Sequence, residues 1–392
     1  FLEQPINLIK LFQSSLKSGL LIHPDALRLI ASHIVIIDDN FRKNEEANEI
    51  FLDLLLNHNN PEKALRHMNE VGFLGAFIPE FGRIVAMMQF NMYHSFTVDE
   101  HTIQCIRTLA EIEHKNLLED LPIASEILSG DINRRILYVA ILLHDIGKGL
   151  PEDHSIIGAD IAMAVAPRLG LKPEESEIVV WLVKNHLLMS DVAQKRDIAD
   201  TRTVRDFANQ VTSATKLKLL TILTVCDIRG VGPNAWNNWK AVLLRDLYTQ
   251  TLAFLNEGSM SSSRPERIKS QKNKVRQACP HLAYKEFKYQ LDRHYDNFWL
   301  GIDFDTQLEF INLLRSNDND DIKVKIVKDK NRDANRICCV LQDHPGIFAR
   351  LAGAIALIGA NVVDARTYTT RDGLATAVFW VQSSNSVAFE NE

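Results

Sequence analysis

The chain has little of what several protein classes require. Its 392 residues include five cysteines, none of them paired in a C-x-x-C motif. Their number is odd, and Cys105, Cys226, Cys279, Cys338 and Cys339 mostly sit inside apolar runs. This argues against a disulfide framework and fits a reducing, cytoplasmic setting. Lys and Arg (44) do not outnumber Asp and Glu (50), so the positive excess of a general nucleic-acid binder is missing. The longest apolar stretches, residues 136–143 and 178–183, fall well short of the roughly 18 residues that a membrane span needs. With 17 Gly and 12 Pro, the composition is that of neither a fibre nor a disordered tail. The first residue is Phe1, with no charged-then-apolar leader behind it, so the sequence reads as a piece of a longer chain.

What is present is enough apolar material, 46% of residues, for a sizeable core divided among two or three domains. From residue 8 to about 255 the apolar positions recur at helical spacing, and Pro5, Gly19, Pro61, Gly72 and Pro79 divide the first part into short helices. Residues 256–276 turn serine-rich and basic with no interleaved aromatic residue, as an exposed helix or linker would. A second charged stretch, 316–336, precedes a change of period. Residues 337–341 read as a strand, DHPG turns the chain into a helix ending at Gly359, residues 361–370 form a second strand, and Asp372-Gly373 is a hairpin turn before a third. The order strand, helix, strand, strand is that of an unfinished ferredoxin-like unit.

The chemistry lies in histidines and aspartates placed where a core prefers apolar side chains. RILYVAILL (135–143) runs into His144-Asp145, followed by Gly147, Gly149 and Pro151; LKLLTILTV (217–225) leads to Asp227, followed by Gly230, Gly232 and Pro233. A lone carboxylate at such a place carries a desolvation cost of several kcal/mol unless a cation or donors meet it. Thr97 and Glu100 have capping-box spacing, which puts His101 in the first turn of a helix. His154 precedes the apolar run 156–165, and His186 follows the run 178–183. Taken singly, each histidine is more often a hydrogen-bonded core residue. Taken together, imidazoles and carboxylates without cysteine suit a borderline or hard divalent ion (Mn, Fe, Zn or Mg) and disfavour a structural zinc site.

His101, His144-Asp145 and Asp227 resemble the metal ligands of the HD phosphohydrolase superfamily, and His154 and His186 resemble its second-metal or phosphate positions. Closer still, YHSFTVDEH (93–101), LLHDIGKG (142–149), DHSIIGA (153–159), HLLMSDVAQKRD (186–197) and VCDIRGVGPNAWNNWK (225–240) are similar to the bifunctional uridylyltransferase/uridylyl-removing enzymes of the PII nitrogen-regulatory protein. DHPGIFARLAG (343–353) and NVVDARTYTTRDG (361–373) resemble the ACT regulatory domain of that family. No glycine-serine turn with a D-x-D strand is found, so the nucleotidyltransferase half and a second ACT repeat are expected to lie outside this sequence.

The resemblance implies a mainly α fold: a helical linker region (1–90), an all-helical HD phosphohydrolase domain (91–255), a linker (256–333) and a small, incomplete α+β ferredoxin-like ACT domain (334–392). It implies a divalent metal, most naturally Mn or Mg with Fe or Zn also compatible, held by His101, His144, Asp145 and Asp227. Lys148, His154, His186 and Arg196 would act with Asp145 on the phosphoryl group of a uridylylated PII substrate, releasing UMP. Asp343, Gly346 and Asn361 would bind glutamine as effector, the free N–H groups of the 343–346 turn suiting a carboxylate. A solvated loop accounts equally well for Lys148, and an exposed ion pair with Asp197 or Asp200 is the more ordinary account of Arg196. Trp236, Trp239 and Lys240 are candidates for the mouth of the site or for simple packing. Two rival readings stay open. One is an HD hydrolase of free nucleotides or of guanosine tetraphosphate alarmone with an ACT domain; the other is a non-catalytic effector sensor.

Overall fold

The computed structural model describes residues 1–88, 95–118, 120–198, 200–232, 235–257, 264–280, 282–315, 321–329, 334–383 and 389. Tyr93, His94, Pro233, Asn234 and Asp318, which belong to stretches singled out above, lie outside the described residues. The chain divides into two compact units, one of residues 1–196, 204–236 and 244–255, the other of residues 197–203, 237–243 and 256–392. Among the described residues no helix is long and apolar enough to cross a membrane, and all five cysteines are buried and free.

Among its described residues the first unit is built of helices and their connections, with no strand. The breakers act where expected: Gly19 closes the helix Asn7–Ser18 in the left-handed region (φ 69°), Pro61 and Pro79 each open a helix, and Gly72 (φ 79°) starts Phe73–Phe77. Within the region read as a helical linker (1–90), the described residues 1–88 form a packed layer around Phe12, Phe41, Phe51, Phe73 and Phe77, whose rings meet at 5.2–6.3 Å. That layer grips α1 (Val98–Glu113) through polar contacts. Arg66 pairs with Glu100 at 2.7 Å, and Asp99 accepts from the Asn69 side chain at 2.7 Å and from the Ala86 backbone. The expected capping box does not form. Thr97 precedes α1 without a side-chain cap bond, and the Glu100 carboxylate accepts from Arg66 and Gln104.

The remaining helices of the site follow in order: α2 (Arg134–Leu143), α3 (His154–Arg168), α4 (Pro173–Lys184), α5 (Leu188–Lys195) and α6 (Ala214–Gly230). Residues 136–143 of α2 are buried without a break, so this helix is the centre of the bundle rather than an amphipathic surface element.

In the second unit, the described residues within 256–333, read from sequence as a linker region with an exposed helix or linker at 256–276, hold the helices Arg264–Ala278, Tyr284–Asp292, Asp296–Gly301 and Phe304–Arg315 and the strand β1 (Ile322–Asp329). In the first of these helices the buried positions are few: Ile268 and Val275, one heptad apart, form a thin apolar stripe among lysines and arginines. β1 joins β2 (Ala334–Gln342), β3 (Asn361–Thr369) and β4 (Leu374–Gln382) in an antiparallel sheet of order β1-β2-β4-β3. The helix α7 (Ile347–Leu357) lies between β2 and β3. Alternation sorts the side chains: Cys338, Val340, Val378 and Trp380 enter the core shared with the four helices. Cys339, Leu341, Ala377 and Phe379 enter the core shared with α7. Gly359 (φ 77°) ends α7 and Gly373 (φ 83°) shapes the β3–β4 hairpin, both as the sequence predicts.

Candidate metal centre

Three helices deliver four ligand-type side chains to one point. His101 stands on the first turn of α1, His144-Asp145 directly follows α2, and Asp227 lies in the last turn of α6, which runs on to Gly230 rather than stopping before the carboxylate. His101 Nε2 is 3.2 Å from His144 Nε2, 3.1 Å from Asp227 Oδ1 and 3.5 Å from Asp145 Oδ2. His144 Nε2 is 3.4 Å from Asp145 Oδ2 and 3.6 Å from Asp227 Oδ1. Separations near 3.2–3.6 Å are those between donors sharing one ion at bond lengths of about 2.0–2.2 Å.

A second group adjoins the first through the other Asp145 oxygen. Oδ1 is 3.7 Å from His186 Nε2 and 4.0 Å from His154 Nε2, and the rings of His101, His144, His186 and His154 follow one another at 5.3–5.4 Å. Asp145 is therefore placed between two donor sets. His186 follows α4, and His154 opens α3, where Asp153 caps the helix by accepting from Ser155 and Ile156. Lys148 brings its ammonium 2.6 Å from Asp145 Oδ2.

Two glycines make these approaches possible. A Cβ on Gly147 would run into the His154 carbonyl and stand 2.7 Å from the Gly158 nitrogen, so only glycine lets the loop after α2 lie against the start of α3. A Cβ on Gly230 would strike Cys105 Sγ and come within 3.1 Å of His101 Nδ1. The backbone also fixes the imidazoles. His144 Nδ1 donates to the Ile141 carbonyl and His186 Nδ1 to that of Val183, each at 2.7 Å, which leaves Nε2 to face the cluster.

The electrostatics are those of a cation site. Burial alone disfavours a charged imidazole, but the Asp145 and Asp227 carboxylates overcome it and push His144 up to about 10. Against their own burial, both carboxyls are held below the usual carboxylate range, Asp145 by His144 and Lys148 and Asp227 by His101 and His144. Burial keeps His186 below its ordinary value and hence neutral. His186 Nε2 is a buried atom that makes no directed hydrogen bond. A buried imidazole nitrogen left without a hydrogen-bond partner at His186, beside two imidazoles and two carboxylates whose atoms converge, fits a divalent ion, and His101, His144, Asp145 and Asp227 are the residues to hold it.

Of the residues proposed from sequence, Arg196 is not brought in. It ends α5 as an exposed residue and makes no ion pair with the cluster. Trp236, Trp239 and Lys240 are half-buried. In the second unit, Asp343 and Gly346 share the turn before α7, where Asp343 accepts from the Thr369 hydroxyl at 2.6 Å and Gly346 caps the helix at φ 84°. Asn361 is elsewhere. It pairs with Gln382 at one end of β4, whereas Asp343 follows Gln342, which pairs with Leu374 at the other end, so one copy of the chain does not gather the three. Cys105, conversely, was missed. One helical turn beyond His101, its Sγ is 3.6 Å from His101 Nε2 and belongs to a set with His101, His144 and Asp227 whose ligand atoms lie within 4.8 Å of one another. The i, i+4 spacing on α1 was the available signal.

Comparison with known proteins agrees with this geometry. Residues 98–227 match the HD domain family, and residues 1–77 match the family described as Uridylyltransferase GlnD third domain. Over its full length the chain is 58% identical to a bifunctional uridylyltransferase/uridylyl-removing enzyme of Cereibacter sphaeroides, 56% identical to one of Ruegeria pomeroyi and 43% identical to one of Azospirillum brasilense. It covers 42%, 43% and 42% of those proteins, and so spans about two-fifths of the length of the curated relatives it matches. The HD-domain match thus spans the helices that assemble the cluster, and the chain as a whole is similar to about two-fifths of these bifunctional enzymes.

Proposed function

We propose that this chain hydrolyses the phosphodiester joining a uridylyl group to a tyrosine of the PII protein, releasing UMP and unmodified PII. The observation that carries the reading is the meeting of His101, His144, Asp145 and Asp227 from three elements at coordinating distance, in a chain related throughout to uridylyl-removing enzymes. A divalent ion on these residues, Mn or Mg in preference to Fe or Zn, supplies Lewis acidity that makes water reactive at neutral pH. Around it the chain's own groups act on the ester. The Lys148 ammonium, held beside Asp145, offsets the charge that grows on the phosphoryl oxygens, and His154 and His186 present Nε2 on the other flank of Asp145. The new bond forms from water oxygen to phosphorus while the bond to the tyrosine oxygen breaks. Phenol has a pKa near 10, so tyrosinate is a tolerable leaving group and takes up the proton. Arg196 has no part in this scheme.

The four-stranded unit is read as an ACT-type regulatory domain. Its order β1-β2-β4-β3, with α7 crossing from β2 to β3, supports a ferredoxin-like arrangement in which β1 takes the outer position beside β2. Glutamine is the proposed effector, received at the turn of Asp343 and Gly346; a contribution from Asn361 would have to come from a second copy. Buried free thiols support a reducing, cytoplasmic setting. The test is to incubate the manganese-loaded chain separately with uridylylated PII and with guanosine tetraphosphate. UMP from the first and nothing from the second is expected; pyrophosphate from the second without UMP from the first would replace this reading with that of an alarmone hydrolase.

A further inference from the structure

Among the described residues, Cys105 is the one soft donor at a centre otherwise built of imidazole and carboxylate. It is 1% exposed, and its sulfur lies 3.6 Å from His101 Nε2 and 3.9 Å from His101 Nδ1. A tetrahedral zinc ion with bonds of about 2.0–2.1 Å to nitrogen or oxygen and about 2.3 Å to sulfur sets its donors roughly 3.3–3.4 Å apart, or about 3.6 Å for a sulfur–nitrogen edge. The observed edges are 3.2 Å between the two Nε2 atoms, 3.1 and 3.6 Å from these to Asp227 Oδ1, and 3.6 Å from Sγ to His101 Nε2. The three edges among His101, His144 and Asp227 and the sulfur's edge to His101 are close to those of a tetrahedral site, and all four ligand atoms lie within 4.8 Å of one another. The same two imidazoles also face Asp145, a residue 2% exposed whose Oδ2 is 3.5 and 3.4 Å from their Nε2 atoms and 2.6 Å from the Lys148 ammonium. One pair of histidines therefore has a hard fourth partner on one side and a soft one on the other.

We propose that Cys105 is a conditional ligand which divides metal ions by softness: zinc or cadmium is held by His101, Cys105, His144 and Asp227, whereas manganese or magnesium is held with Asp145 in place of the sulfur. This rests on reading the cluster as a cation site. Coordination by sulfur releases the thiol proton to solvent and forms the metal–sulfur bond, with no change of oxidation state. In the soft-ion form Asp145 keeps its pairing with Lys148 and no longer links the ion to His154 and His186, so the ion is bound where it cannot serve the second donor set. Gly230 belongs to this device, since any side chain there would displace the sulfur.

The test is X-ray absorption at the zinc edge on the zinc-loaded chain, together with zinc and manganese affinities for Cys105→Ser and Cys105→Ala. A sulfur shell at about 2.3 Å is expected in the unsubstituted chain and its loss in both variants. Zinc affinity should fall about tenfold or more, with manganese affinity altered less than about threefold. Zinc bound by nitrogen and oxygen alone, or a sulfur shell that survives both substitutions, overturns the proposal while leaving the metal centre intact. Failure of the unsubstituted chain to bind either ion overturns the centre itself. The zinc spectrum of the unsubstituted chain decides the matter even where a variant loses helix content.

Discussion

The protonation of His144 sets a measurable pH dependence for cation binding. In the cation-free chain Asp145 and Asp227 push His144 up to about 10 from an ordinary 6.5, while both carboxyls are ionised far below neutrality. Nε2 of His144 must give up its proton before its lone pair can meet an ion, because Nδ1 is already committed to the Ile141 carbonyl. At pH 7, about three pH units below that value, expelling the proton costs roughly 4 kcal/mol. Apparent manganese affinity should therefore tighten about tenfold for each pH unit between 7 and 9, with one proton released per ion. Titration calorimetry in buffers of different ionisation enthalpy counts that proton. An affinity that does not change over this range, with no proton released, would refute the account of the cluster. The same linkage acts on folding. His144 adds stability to the cation-free chain that is complete below pH 6.5 and is lost as the pH rises through about 10; Asp145 and Asp227 add stability present above 3.8 and lost on acidification. Chelated protein should thus melt at lower temperature at pH 9 than at pH 7, and manganese should remove most of that difference.

Further outcomes follow from the same geometry. The double substitution of alanine for His144 and Asp145 should abolish UMP release and bound metal with helix content retained, as read by circular dichroism; turnover in that variant would remove the mechanism. Lys148→Ala should lower kcat roughly a hundredfold to a thousandfold, whereas Arg196→Ala, at an exposed position, should leave kcat within about threefold of the unsubstituted chain. Gly147→Ala forces a Cβ into the His154 carbonyl and should destabilise the helical unit by roughly 1–3 kcal/mol in denaturant unfolding.

The site was legible because burying charge is costly. Apolar runs that end in His-Asp or approach Asp227 require a cation or donors to meet the buried charge, and imidazoles brought beside carboxylates suit a cation. Helix limits were legible where Gly or Pro imposes a backbone state, as at Gly19, Pro61, Gly359 and Gly373. What escaped was set by packing. The alternation of Ile322, Val324 and Ile326 with Lys323 and Lys325 marks β1, but these residues stay partly exposed at a sheet edge, so the strand carries charge and reads as a linker. The helix Arg264–Ala278 hides its two core residues in the same way. Glu100 has the spacing of a cap, yet Arg66, 34 residues away, claims it. Cys105 looked like ordinary core filler because sulfur on an apolar helix usually is. Asn361 lies near Asp343 in the chain but at the far end of a strand in space.

The central claim is most directly tested by anomalous diffraction from crystals of the chain soaked in manganese. A single strong peak within about 2.0–2.3 Å of His101 Nε2, His144 Nε2 and the Asp145 and Asp227 carboxylates is the expected result. A peak elsewhere, or these four side chains turned away from a common ion, would contradict it.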